Sequence, residues 1–198
     1  MVNAGISGLL AVLGYSQQNL AFISDVILGF SFPISVLIYF RAYRKMNGKE
    51  IIEALGVGRS KLSLFTLVLG FLIFIIIMIL SIGTGIIQNI INIPINTNVN
   101  LALEGAPLWF CLFVAVIEPI NEELLFRGFM VPRIGIVLSS VVFGVLHASY
   151  DSTFAIEVIA AVLFGILSGY VYKRTGSLYP SIIAHILVNT LAVLAFIG

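Results

Sequence analysis

Long uncharged apolar runs alternate with short polar stretches along the 198-residue chain. Runs of roughly 18 residues or more with few charges are the pattern of membrane-crossing helices, which need about 20 apolar residues each. The first good run is Leu20 to Phe40, interrupted only by Asp25 and by Pro33, which would kink it. Leu62 to about Ile91 holds no charge, and the Asn- and Pro-containing stretch from Asn92 to Asn100 then signals a loop. Four further spans follow: about Leu108 to Met130, Ile134 to Tyr150, Phe154 to Tyr172, and Leu178 to the C-terminus. The pattern predicts an all-α polytopic transmembrane helical bundle of about six spans, residues 1–198 forming one transmembrane domain with no internal repeat. The apolar run Ile6 to Tyr15 is too short to cross about 30 Å of hydrocarbon, so residues 1–19 read as a short interfacial or re-entrant segment. No basic n-region marks a cleavable signal there.

Composition sharpens this picture. Hydrophobic residues make up 60% of the chain and charged residues 10%, with mean hydropathy +1.15, which excludes a water-soluble globule. Ten Lys+Arg nearly balance nine Asp+Glu, so there is no basic field for nucleic acid, and the partner implied is the lipid bilayer. The single cysteine, Cys111, can form neither a disulfide framework nor a thiolate metal site. In the six-span scheme all ten basic residues fall on one side: Arg41, Arg44, Lys45, Lys49, Arg59 and Lys61 in the first connection, Arg127 and Arg133 around the second, Lys173 and Arg174 at the third. By the positive-inside rule that side is cytoplasmic, and both termini lie outside.

Ionisable residues inside the spans are the exception to this economy. Glu118, Glu122, Glu123 and Arg127 crowd the third span in VIEPINEELLFR, where each charge at the bilayer centre costs about 2.5–3.5 kcal/mol on insertion scales. On a helix Glu118 and Glu122 lie about 40° apart, as do Glu123 and Arg127. The simplest arrangement pairs Glu123 with Arg127 and leaves Glu122 free, with Glu118 in a supporting place. Pro119 would open the helix locally and free a backbone carbonyl.

Both histidines, His147 and His185, also fall within spans, and His185 shares a helix face with Asn189 four residues on. A glutamate, two histidines and an amide donor could therefore converge in the cytoplasmic half of the membrane. Peptide hydrolysis needs a water, a base and donors for the oxyanion. Glu122 would be the base on a water shared with His147, His185 and Asn189 would hold the oxyanion, and Glu123 and Arg127 would orient the site. No cofactor is required by this scheme. The same set could instead hold zinc through Glu122, His147 and His185, leaving a position open for water. No H-E-x-x-H, G-x-S-x-G or Ser-His-Asp arrangement is visible.

Taken together, NEELLFRG with Glu122, Glu123 and Arg127, FGVLH with Phe143 and His147, and AHILVN with His185 and Asn189 resemble the three signatures of the CAAX-protease and bacteriocin-processing (CPBP, or Abi) family. The connector GILSGYVYKRTGSLYP is similar as well, and the resemblance makes about residues 105–195 the protease-type core. It implies an intramembrane endopeptidase in which Glu122 activates water with His147, and His185 and Asn189 complete the site. The resemblance also implies a peptide or protein substrate that is membrane-associated or secreted, of CAAX type or of bacteriocin or leader type. Two other readings stay open: a non-enzymatic bacteriocin-immunity or membrane scaffold protein, and an ion-coupled transporter built on buried carboxylates.

Overall fold

The structure, a computed structural model, describes residues 17–90, 92, 103, 105–147 and 155–197. The proposed interfacial segment lies outside the described residues except for its last three, which begin the first helix; so do most of the Asn-rich loop and the expected outer-loop acids Glu104 and Asp151. Among the described residues every long element is helical. Helix α1 (Gln17–Ile38) continues through a π turn, Tyr39–Tyr43, and α2 (Gly48–Leu55) follows as a short amphipathic helix. Asn47 and Glu50 form a complete capping box at the start of α2, and Gly56 ends it in the left-handed conformation. Helix α3 is Leu64–Ile90. Helix α4 is assembled from Leu108–Leu112, a π segment Phe113–Ile117, an α turn Glu118–Glu123 and a second π segment Leu124–Met130. Helices α5 (Val131–His147), α6 (Ala155–Thr175) and α7 (Tyr179–Ile197) complete the bundle.

Five helical runs are long and apolar enough to cross a membrane: Asn19–Tyr43, Leu64–Ile90, Leu108–His147, Val158–Thr175 and Tyr179–Ile197. This is a multi-pass helical bundle. The third run has 40 residues and would reach about 60 Å if straight, twice the hydrocarbon thickness. It reverses instead at Gly135, whose φ of 84° and ψ of 169° belong to a region open essentially to glycine alone. Ser139 Oγ donates to Phe126 O at 2.8 Å across this turn, although 13 residues of straight helix would hold them about 20 Å apart. The expected third and fourth spans are thus the two arms of one hairpin. The second arm is described as far as His147, and the Tyr150 end expected for the fourth span lies outside the described residues.

The arms meet their neighbours through small residues, as membrane helices do where lipid gives no hydrophobic drive to associate. A Cβ on Gly144 would collide with the Val162 side chain and with Val158 O, so α5 and α6 touch backbone to side chain. Exposed Leu64, Phe65, Phe71, Ile79, Ile82 and Ile90 on α3 form a face that only lipid can cover.

One end of the bundle gathers the basic connections. Leu178 N donates to Gly56 O at 2.9 Å, Tyr179 Oη to Val57 O at 2.9 Å and Ser177 Oγ to Lys61 O at 3.0 Å, joining the α2–α3 loop to the α6–α7 turn. The Arg133 guanidinium lies over the rings of Tyr39, Phe40 and Phe129, joining the end of α1 to the α4–α5 turn. Nine of the ten basic residues are on these connections or the turns leading into them, and Arg127 is the tenth. At the opposite end Phe22, Phe110, Phe113 and Val193 close the core where α1 and α4 begin and α7 ends.

Candidate active site

The site grows from α4, where sequence and backbone register act together. Glu118 N–H donates to Phe113 O in the π pattern. In that register Val114 O falls to residue 119, and Pro119 has no N–H to give. Asn189 Nδ2 supplies the missing donor at 3.0 Å, tying α7 to the break in α4. The expected free carbonyl exists, and its partner is a candidate site residue. One of Asn189's two amide N–H groups is therefore engaged on backbone, while the side chain still lines the cavity described below.

The short α turn Glu118–Glu123 sends adjacent carboxylates in different directions. Glu123 is completely buried, and its Oε1 accepts from Arg127 Nη1 at 2.8 Å and lies 3.0 Å from His185 Nδ1. Arg127 is 1% exposed, with its guanidinium carbon 4.2 Å from the Phe143 ring centre and 5.0 Å from that of Phe164. The expected Glu123–Arg127 pair is thus present, clamped between aromatic faces that favour a desolvated cation. Neither Glu123 Oε2 nor Arg127 Nη2 has a partner among the described residues.

Each histidine has its Nδ1 side occupied. His185 Nδ1 faces the Glu123 carboxylate, and His147 Nδ1 lies 2.9 Å from Phe143 O, an atom that can only accept. Since Phe143 O only accepts, the proton of that contact sits on His147 Nδ1. His185 Nε2 is 3.6 Å from Glu122 Oε2, and one donor atom from each of Glu122, His147 and His185 lies within 4.8 Å of the other two. Three helices, α4, α5 and α7, converge on one point. Phe143 packs at 4.3 Å on His147 and 5.8 Å from His185, and Phe164 stands 5.0 Å from His185, so aromatic rings fix both imidazoles.

Two cavities flank this point. One, of about 290 Å³, is lined by Glu122, His147, Asn189, Glu118 and Asp25 together with apolar walls from α4 and α7. The other, of about 210 Å³, reaches His147, His185 and Asn189 from the α3 and α6 side. An extended peptide threading from one to the other would pass the Glu122–His147 pair.

The donor set fits a zinc ion chemically. Tetrahedral zinc with Zn–N near 2.0–2.1 Å places its ligand atoms about 3.4 Å apart, and the Glu122–His185 edge is already 3.6 Å. The Nδ1 partners, a carboxylate for His185 and a backbone carbonyl for His147, are those usual behind metal-bound histidines. The same geometry equally suits a water held between a carboxylate and an imidazole.

All seven residues expected from sequence are gathered here: Glu122, His147 and His185 at the centre, Glu123 and Arg127 behind His185, Glu118 and Asn189 on the cavity wall. Two further residues were missed. Asp25 reaches the cavity from α1 beside Glu118, and its signal was available as the lone carboxylate of an otherwise uncharged span. Phe164 shares His185 and Arg127 with Phe143, and nothing distinguishes it in sequence from the other aromatic residues of apolar runs.

Residues 104–191, which contain every one of the seven, match a family model described as type II CAAX prenyl endopeptidase Rce1-like. The matched segment is similar to that family over 88 of the 198 residues. It spans the α4–α7 core and leaves out α1, α2 and α3. A Bacillus subtilis (strain 168) protein described as uncharacterized protein YpbD is 30% identical over 78 residues, covering 39% of this chain. The chain spans 41% of that relative's length. No solved structure matches.

Proposed function

We propose that the protein is an intramembrane endopeptidase that hydrolyses a peptide bond of a membrane-associated or secreted substrate by activating water between Glu122 and His147. The observation that supports it is the convergence of Glu122, His147 and His185 within 4.8 Å at the junction of two cavities inside a membrane bundle. The Rce1-like match points to CAAX-type processing on the cytoplasmic side.

In this reading a water sits between Glu122 and the His147 Nε2. Glu122 takes its proton as the oxygen attacks the scissile carbonyl and returns it to the leaving amine. His185, backed by Glu123, and the second N–H of Asn189 on the cavity wall hold the oxyanion. Arg127 pairs with Glu123, and Glu123 in turn positions His185. Glu118 and Asp25 lie farther along the cavity and do not touch the reacting bond. The basic end of the bundle faces the cytoplasm and both termini lie outside.

In a metal-dependent variant of the same reaction Glu122, His147 and His185 would hold zinc, which would supply Lewis-acid activation there. The donor distances favour neither over the other.

The test is cleavage of a library of prenylated and unprenylated C-terminal CAAX peptides and of leader-type peptides by the full chain in lipid nanodiscs. Glu122→Gln should reduce cleavage by about 10²–10⁴-fold, the range of a lost general base. Full activity of this variant would end the enzyme reading and leave a structural or immunity role. Chelation with elemental analysis separates the two mechanisms: activity retained in metal-free protein supports the glutamate route, and recovery only on adding zinc supports the metal route.

A further inference from the structure

Far from the Glu122 centre, at the basic end, a third cavity of about 390 Å³ opens between the end of α1, α2 and the α4–α5 turn. Its volume is within the range of small-molecule sites, roughly 300–1,000 Å³. Two guanidinium groups, Arg44 and Arg133, line it, and no carboxylate does. Neither arginine forms an ion pair with any described residue. The acids nearest in sequence are turned to other work: Glu50 accepts from Asn47 N at 2.7 Å in the α2 cap, and the Glu53 carboxylate lies against Gly58.

Arg133 is held in place rather than left to sample solvent. Its guanidinium carbon lies 3.9 Å from the Phe129 ring centre and within 4.8 and 5.0 Å of those of Tyr39 and Phe40, and Nη1 donates to Phe129 O at 2.6 Å. The remaining N–H groups of a guanidinium fixed in this way are available in a set geometry suited to phosphate oxygens. Arg44 faces it as an exposed cation, while Tyr39, Phe40 and Met46 give the cavity an apolar floor. The cavity sits where membrane-crossing helices end and basic connections begin, the depth at which lipid phosphates lie.

We propose that this cavity binds the headgroup phosphate of an anionic glycerophospholipid, Arg44 and Arg133 taking the phosphate and the apolar floor taking the glycerol and the first methylenes. The site is independent of the proteolytic reading, because none of its residues belongs to that centre. Lipid phosphate is preferred to free phosphate on the apolar floor and the position at the membrane boundary.

The test is native mass spectrometry of the full chain released from mixed phosphatidylglycerol and phosphatidylcholine micelles, paired with thermal melts in each lipid and in inorganic phosphate. Retention of phosphatidylglycerol about thirtyfold above phosphatidylcholine is expected from two cations at the surface. Arg44→Gln, an exposed change that leaves the helices intact, should remove most of that preference. Arg133→Lys keeps the charge but loses the ring-held fork and should weaken it as well. Arg59→Gln/Lys61→Gln removes two charges from the same end outside the cavity and should leave the preference unchanged. Equal losses from the Arg59/Lys61 change, or equal retention of both lipids, would overturn the proposal as diffuse surface charge. Stabilisation by inorganic phosphate matching that by phosphatidylglycerol would overturn the lipid assignment.

Discussion

Replacing Arg127 by Met removes a cation that is 1% exposed and leaves the fully buried Glu123 carboxylate with His185 alone. Breaking a buried pair from one side costs about 3–5 kcal/mol, because the abandoned charge has neither water nor counter-ion. His185 at 3.0 Å keeps one hydrogen bond on Glu123 Oε1, so the lower half of that range is expected. Neutralising both partners, Arg127→Met with Glu123→Gln, leaves no uncompensated ion, and the Gln carbonyl can still accept from His185. Replacing a whole buried pair is often neutral or stabilising. The double variant should therefore lie within about 1–2 kcal/mol of the parent and be about 2 kcal/mol more stable than Arg127→Met alone, a coupling that a double-mutant cycle with Glu123→Gln measures. Reversible unfolding in mixed dodecyl sulfate micelles reads these differences. Additive losses, with the double variant the least stable of all, would refute the claim that Glu123 and Arg127 act as one desolvated pair.

Three further outcomes follow from the backbone. Gly135→Ala meets no atom within 4 Å, so its cost is conformational strain alone, about 1–3 kcal/mol in the same unfolding assay, with activity lost as His147 moves off Glu122. Asn189→Ala leaves Val114 O without a donor and should destabilise by about 1–3 kcal/mol. Pro119→Ala restores an N–H at the position facing that carbonyl, so combined with Asn189→Ala it should recover part of the loss. A double variant less stable than Asn189→Ala would show that Pro119 does not set the vacancy.

Helix periodicity made much of this legible. The apolar runs located the passes, the i, i+4 spacings paired Glu123 with Arg127 and put His185 beside Asn189, and the one-sided basic residues predicted the shared end that Arg133 and the Tyr179 hydroxyl now join. What periodicity does not encode is how faces of different helices meet. Glu122 and His147 are 25 residues apart, and the Gly135 reversal that brings them together falls beside the expected break between the third and fourth spans, but which faces of the two arms meet is not written in that break. Asp25 was visible as a misplaced charge, but its meeting with Glu118 depends on how α1 lies against α4.

The most direct test of the central claim, that Glu122 and His147 hold one water between them, is a rate cycle with Glu122→Gln, His147→Ala and the double variant on a cleaved peptide in nanodiscs. Groups that act as a unit are strongly non-additive, so the double variant should be no more than about tenfold slower than the worse single one. Losses that multiply, or a Glu122→Gln enzyme that cleaves at the parent rate, would contradict it.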